Sequence, residues 1–144
     1  MNNPNEFAQF LEEYFSGWKS CSLDSIKSHM TMDFQAREVR EVKGEVLIQD
    51  YGYEESIEGW SQAFRSFEGM EVEWKIVEGY QIPLRENEML VTFWVGLSLD
   101  GKQLETAHFF TDTIKRIAGK WKLCRSYIEA GIPVSAIPSE TSLK

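Results

Sequence analysis

The chain's 144 residues, 42% hydrophobic and 26% charged, are enough to bury one sizeable core and point away from disorder and from a membrane class. Its 15 basic and 23 acidic residues leave a formal charge of -8, which repels phosphate backbones and anionic lipid and argues against nucleic acid or membrane as partners. Apolar runs are strand-length, well short of the roughly 20 residues a spanning helix needs.

The polar start MNNPNEF lacks the basic and apolar regions of a signal peptide, so a cytoplasmic location is expected. Cys21 and Cys124 form no C-x-x-C pair and are expected to be structural thiols. With two histidines and no Cys/His cluster, no metal site is expected.

The opening reads as a helix, with Asn3 as N-cap, Pro4 at the first helical position and Glu6 three residues after the cap. Phe7, Phe10, Leu11, Tyr14, Phe15 and Trp18 recur at helical spacing and define one apolar face. A shorter helix follows, capped by Ser22, with Leu23, Ile26 and Met30 on one side. Residues 33–49 suggest short extended segments around the Lys43-Gly44 turn. Residues 53–67 return to helical spacing through Ile57, Trp60, Phe64 and Phe67, and Gly69 lies just past the end.

Everything beyond reads as sheet. Val72, Trp74 and Ile76 alternate with polar residues, and a turn falls at 85–87. Met89, Val91, Phe93, Val95, Leu97 and Leu99 alternate up to Asp100-Gly101, the strongest hairpin signal in the chain. Another strand covers 102–117, a turn falls at Gly119, and a last strand runs from 120 to about 129. One domain is expected over residues 1–131, followed by a loosely ordered tail over 132–144.

Two tight turns predict register. A two-residue loop at Asp100-Gly101 sets Val95 opposite Thr106, Phe93 opposite His108, Val91 opposite Phe110 and Met89 opposite Asp112. The same treatment of Ala118-Gly119 sets Ile114 opposite Leu123, Asp112 opposite Arg125, Phe110 opposite Tyr127 and His108 opposite Glu129. Those residues then share the face that the aromatic helices should cover, and His108, Asp112, Arg125, Tyr127 and Glu129 there must either pair or line a wet cavity. The opposite face, with Trp94 and Phe109, is expected to join a second subunit as a homodimer.

The helix FLEEYFSGWKSCSLDSIKSHM, the helix EESIEGWSQAF, the strand LVTFWVGLSLDGK and the ending GKWKLCRSYIE follow one another in an order that resembles the nuclear-transport-factor-two-like superfamily over about residues 3–129. The similarity is greatest to SnoaL-like and ketosteroid-isomerase-like members. It implies an α+β cone: a strongly curved antiparallel sheet whose concave face is covered by three helices of the N-terminal half. It also implies a pocket for a small, largely apolar molecule, frequent homodimers and no obligatory cofactor. In ketosteroid isomerases a helix-one tyrosine and a carboxylic acid donate to the developing enolate oxygen while a carboxylate moves the proton. Tyr14 falls at the tyrosine position and Glu38 at the base position; the second donor's place falls near Phe110 or Thr111, with Asp112 close but off register.

The candidate catalytic residues are therefore His108, Asp112, Glu38 and Tyr14, and the candidate ligand contacts are Arg125, Tyr127, Glu129, Phe93, Phe110 and Trp60. Each also has a plain structural explanation. Tyr14 completes an apolar stripe, Glu38 sits in a charged hairpin, Asp112 with Arg125 makes a cross-strand ion pair, and His108 with Glu129 makes a hydrogen-bonded pair. Proton-transfer enzyme and non-catalytic binding or interaction module both stay open on sequence alone.

Overall fold

A computed structural model describes residues 4–139. The first helix, α1 (Pro4–Lys19), forms because its large apolar groups repeat every three or four residues. All six of them, from Phe7 to Trp18, are buried. Asn3, the expected cap, lies outside the described residues. The chain reverses through Cys21 at φ 53, and Ser22 caps α2 (Leu23–Ser28) by accepting from the Ser25 amide. The two helices meet so closely that a Cβ on Gly17 would stand 2.3 Å from Ser25 Oγ, so only glycine fits there.

Met30, read from sequence as part of the second helix, instead opens β1 (Met30–Val42). Lys43 and Gly44, both at positive φ, turn the chain into β2 (Glu45–Gly52). Then comes α3 (Tyr53–Ser66), whose Glu55 carboxylate accepts from the Gly52 amide at its start. The strands β3 (Val72–Arg85), β4 (Glu88–Leu99), β5 (Lys102–Gln103), β6 (Thr106–Ile117) and β7 (Lys120–Pro133) complete one sheet of order β2-β1-β7-β6-β4-β3, with β5 on β4.

The chain is thus an α+β cone, three helices against a curled open sheet. One detail departs from expectation: the sheet is mixed, because β1 runs parallel to β7 while the other pairs are antiparallel. Hairpin turns dictate antiparallel neighbours. No turn joins β1 to β7, so nothing local encodes their direction.

Register differs from the expected one twice, with unequal effect. The β4–β5 pairing Leu99↔Lys102 starts as the Asp100-Gly101 turn requires, but the return strand then carries two extra residues between Leu104 and His108. Val95 consequently lies opposite His108, Phe93 opposite Phe110 and Val91 opposite Asp112. An offset of two leaves every side chain on its expected face.

In β7 the offset is one. Ile114 pairs with Leu123 as expected, Cys124 is then an extra residue, and Thr113 pairs with Arg125, Asp112 with Ser126 and Phe110 with Ile128. From this bulge to Ala130 every β7 side chain changes face. Ser126, Ile128 and Ala130 turn inward and are buried, whereas Arg125, Tyr127 and Glu129 turn outward. The physical reason is cost: an uncompensated charge beneath the helices is penalised by several kcal/mol, and the bulge instead sends Arg125 to the other face, where it stays exposed and pairs with the buried Glu88 carboxylate at 3.1 Å.

The segment after Glu129 is not loose as far as it is described. β7 continues to Pro133 through a second bulge at Gly131 (φ 71), and a 3-10 turn spans Val134–Ala136. Ile137 is then buried against Val77 and Ala107 on the outer face, with Ile132, Val134 and Trp94 around it. Three apolar side chains anchor what composition alone marks as tail. Residues 140–144 lie outside the described residues. The main core fills the concave side, where Trp18, Phe93, Ile26 and Ile114 are almost wholly enclosed.

Candidate functional site

The helices do not fill the cone. A cavity of about 590 Å³ remains between α1, α3 and the concave sheet face. Its wall is built in rungs across the strands. The innermost carries Tyr51 of β2 beside Ala36 of β1, then Ser126 of β7 and Asp112 of β6. The next carries Gln49, Glu38, Ile128 and Phe110, and beyond it stand Arg40 and His108. Period-two alternation makes these neighbours, with Ala36 small enough to leave space between Tyr51 and Ser126.

The apolar part of the wall is aromatic. Trp18 contacts Trp60 at 4.7 Å and Phe110 at 5.3 Å between ring centroids, and Phe67 and Trp74 close the same side. Such rings offer a flat ligand both area and geometry.

Of the residues singled out from sequence, Tyr14, Glu38, His108, Trp60 and Phe110 line the cavity. Asp112 and Phe93 belong to the same side of the sheet but are enclosed behind the wall, at 0% and 1% exposure. Arg125, Tyr127 and Glu129 lie on the other face, so the expected pairs Asp112 with Arg125 and His108 with Glu129 do not form. Glu129 stands opposite Phe109, and Tyr127 is 44% exposed.

Electrostatics divide the site into a deep end and a mouth. At the deep end burial lifts the Asp112 carboxyl from 3.8 to about 7, against the pull of the hydrogen bond it accepts from Ser126. Burial, then the Glu38 and Asp112 charges, lift Tyr51 to about 12. Burial and Asp112 hold Tyr14 well above the usual phenol value; the Trp18 indole N–H beside it opposes this without completing a hydrogen bond. Both phenols therefore remain donors at neutral pH.

At the mouth, Glu38 is ion-paired with Arg40. Burial lowers the His108 imidazole, Glu38 pulls it up and Arg40 pushes it down again, leaving a largely neutral ring able to accept a proton.

Sequence reasoning missed Tyr51, Arg40, Gln49 and Ser126. Applying the register rule to the Lys43-Gly44 turn would have found the first three, since it sets Tyr51 opposite Ala36 and Gln49 opposite Glu38. Ser126 was hidden by the Cys124 bulge. An open groove of about 760 Å³ also runs along α1 and α2 past Glu13, Ser25 and His29. There His29 Nδ1 donates to the Ser25 carbonyl at 2.6 Å, and Nε2 lies 3.8 Å from a Glu13 oxygen. This surface crease has no walled interior. Among the described residues no group of three His, Cys, Asp or Glu could hold a metal ion, and no helix is long and apolar enough to cross a membrane.

No protein-family model matches the sequence, and neither does any curated protein. Solved structures do. An NTF2-like protein of unknown function from Pseudomonas putida KT2440 is 12% identical with TM-score 0.66, over 94% of this chain and 91% of its own. A domain of unknown function with a cystatin-like fold from Nostoc punctiforme is 11% identical with TM-score 0.66, over 93% and 82%. A putative calcium/calmodulin-dependent protein kinase type II association domain from Thiobacillus denitrificans is 15% identical with TM-score 0.60, over 84% and 91%. The chain has the NTF2-like, cystatin-like fold.

Proposed function

We propose that the cavity binds a small, largely apolar carbonyl compound and moves a proton on it, as SnoaL-like and ketosteroid-isomerase-like proteins do. One observation carries this: a single 590 Å³ space brings an aromatic wall together with Tyr14, Tyr51, Glu38 and His108. The ligand's body stacks on Trp60, Trp74 and Phe110. Its oxygen receives hydrogen bonds from Tyr14 and Tyr51, the groups that stay protonated where negative charge would gather. Glu38 takes the proton from carbon; the C–H pair moves into the new C=C bond and the carbonyl pair onto oxygen. His108 is the second proton carrier at the mouth. The proposal includes a cytoplasmic location, in keeping with the free thiols Cys21 and Cys124.

Hydrogen–deuterium exchange at carbon, followed by NMR over a panel of enolisable aryl ketones, tests it. The wild type should exchange label above the buffer rate, and Glu38→Gln should lose about 10²-fold or more of that rate. Wild-type exchange no faster than buffer across ketones that demonstrably bind, or full activity in a Glu38→Gln, His108→Ala double variant, sinks the proposal.

A second reading, a homodimerising module, is favoured by the convex face, where Tyr80, Ile82 and Tyr127 are 67%, 45% and 44% exposed near the Trp94–Phe109 pair. The Thiobacillus neighbour described as an association domain points the same way. A strict monomer on a sizing column at micromolar concentration counts against it.

A further inference from the structure

Asp112 carries a carboxyl group enclosed behind the cavity wall. The residue is 0% exposed, stands outside the cavity lining, and its Oδ2 has no hydrogen-bond partner. Its Oδ1 accepts from Ser126 Oγ, directly opposite on β7, and Ser126 does line the cavity. Among the described residues, the link between this carboxyl and the cavity is thus a single hydroxyl. A hydroxyl has one hydrogen and two lone pairs, so committing the hydrogen in one direction leaves only lone pairs for the other.

We propose that Ser126 is a ligand-facing specificity residue and that Asp112 positions its hydrogen. An ionised Asp112 holds that hydrogen and leaves Ser126 an acceptor toward the cavity. A protonated Asp112 donates to Ser126 Oγ and releases the hydrogen to point at the ligand. The inference rests on the cavity being a ligand site and names what that site selects: ligand acceptors in one protonation state, ligand hydroxyls in the other.

The surroundings allow both states. The titratable groups facing Asp112 are Tyr14 from α1 and Tyr51 from β2, each coupled to its charge and each protonated at neutral pH. From the flanking strands come Val91 of β4 and Ser126 itself. No cation among these holds the carboxylate ionised. Burial then leaves it titrating at about 7, so both forms are populated at neutral pH. Switching requires rotation of one hydroxyl and no movement of the backbone.

The consequence is selectivity that changes with proton concentration. With Asp112 protonated, Tyr14, Tyr51 and Ser126 present three donors, which suits a carbonyl oxygen. With Asp112 ionised, one of the three becomes an acceptor, which suits a hydroxyl. By linkage, a ligand bearing only an acceptor takes up a proton on binding and one bearing a hydroxyl releases it.

Two probes on one naphthalene frame test this on the full chain: 2-acetylnaphthalene, which only accepts, and 2-naphthol, which also donates. Binding is titrated calorimetrically from about pH 5.5 to 8.5, either side of the Asp112 midpoint. The ratio of the two affinities should change by about fivefold or more, the factor that one neutral hydrogen bond is worth, in favour of the naphthol as pH rises. In Ser126→Ala and in Asp112→Asn the ratio should be independent of pH. A flat ratio in the wild type, or a pH dependence surviving in Ser126→Ala, overturns the assignment.

If neither probe binds at any pH, the ligand-site premise fails on its own. The positioning is then decided by infrared spectroscopy of the free protein. The carboxylic C=O band that Asp112→Asn removes should titrate near neutrality and shift in Ser126→Ala. A band unmoved by Ser126→Ala refutes the coupling.

Discussion

Relative to the wild type, Asp112→Asn should gain stability as pH rises, on top of a pH-independent cost for the amide N–H groups set where Oδ2 has no partner. The amide keeps an oxygen to accept the Ser126 hydroxyl but cannot ionise, so packing is retained while the titration is lost. Folding raises the carboxyl from 3.8 to about 7, so the folded chain holds a proton that the unfolded chain releases. The stability this proton confers is fully present below about pH 4 and is lost as pH rises through about 7. A shift of about three units at 1.36 kcal/mol each makes the wild type bear a penalty of about 4 kcal/mol at pH 8, against about 1.7 kcal/mol at pH 5. The gap between variant and wild type should therefore shift in the variant's favour by roughly 2.5 kcal/mol between those two values. Urea unfolding followed by tryptophan fluorescence at both pH values measures it. Effects of other titrating groups, His108 among them, are common to the two proteins and cancel. A gap that is the same at pH 5 and pH 8 would mean that Asp112 ionises as if exposed, and would refute the argument from burial.

Ile137→Asp should lower stability by about 2 kcal/mol or more, because it sets a carboxylate against Val77, Ala107 and Trp94; an unchanged melting temperature would show that the 3-10 segment contributes no cover. Ala118→Asn should raise stability by about 0.5 kcal/mol, since residue 118 sits at φ 51 in a two-residue turn ahead of Gly119, where Asn is better tolerated. A fall in melting temperature would contradict that left-handed turn.

Much of this architecture is local in origin and could be read from the chain. The stripe from Phe7 to Trp18, the Ser22 cap and the reversal at Asp100-Gly101 each depend on residues within a few positions of one another. The site was half legible for the same reason. His108 and Asp112 kept their face because the β6 offset was even, and Glu38 and Tyr14, singled out by the resemblance to ketosteroid isomerases, do line the cavity. What failed was a single inserted residue. A bulge at Cys124 obeys no turn rule, yet it decides the orientation of the strand from Arg125 to Ala130. A trace of it was present: Arg125, Tyr127 and Glu129 formed an unbroken polar row on a face otherwise apolar, while Ile128 and Ala130 formed an apolar row on the other. That inversion is the signature of a one-residue slip. The pairing of β1 with β7 left no trace at all, being long-range.

That long-range pairing bears on how the protein reaches its native state. β1 can find β7 only across about ninety intervening residues, and Gln35 meets Arg125 late in any vectorial synthesis. Loop closure over such a span must precede its reward, which slows assembly relative to helical proteins of similar size. Until β7 emerges, the β1–β2 hairpin has an unsatisfied edge and Phe7 of α1 lacks the Trp121 ring it packs against. Nascent chains should thus be at their most aggregation-prone just before the last strand is made, and a ribosome pause in that interval should lengthen the exposure.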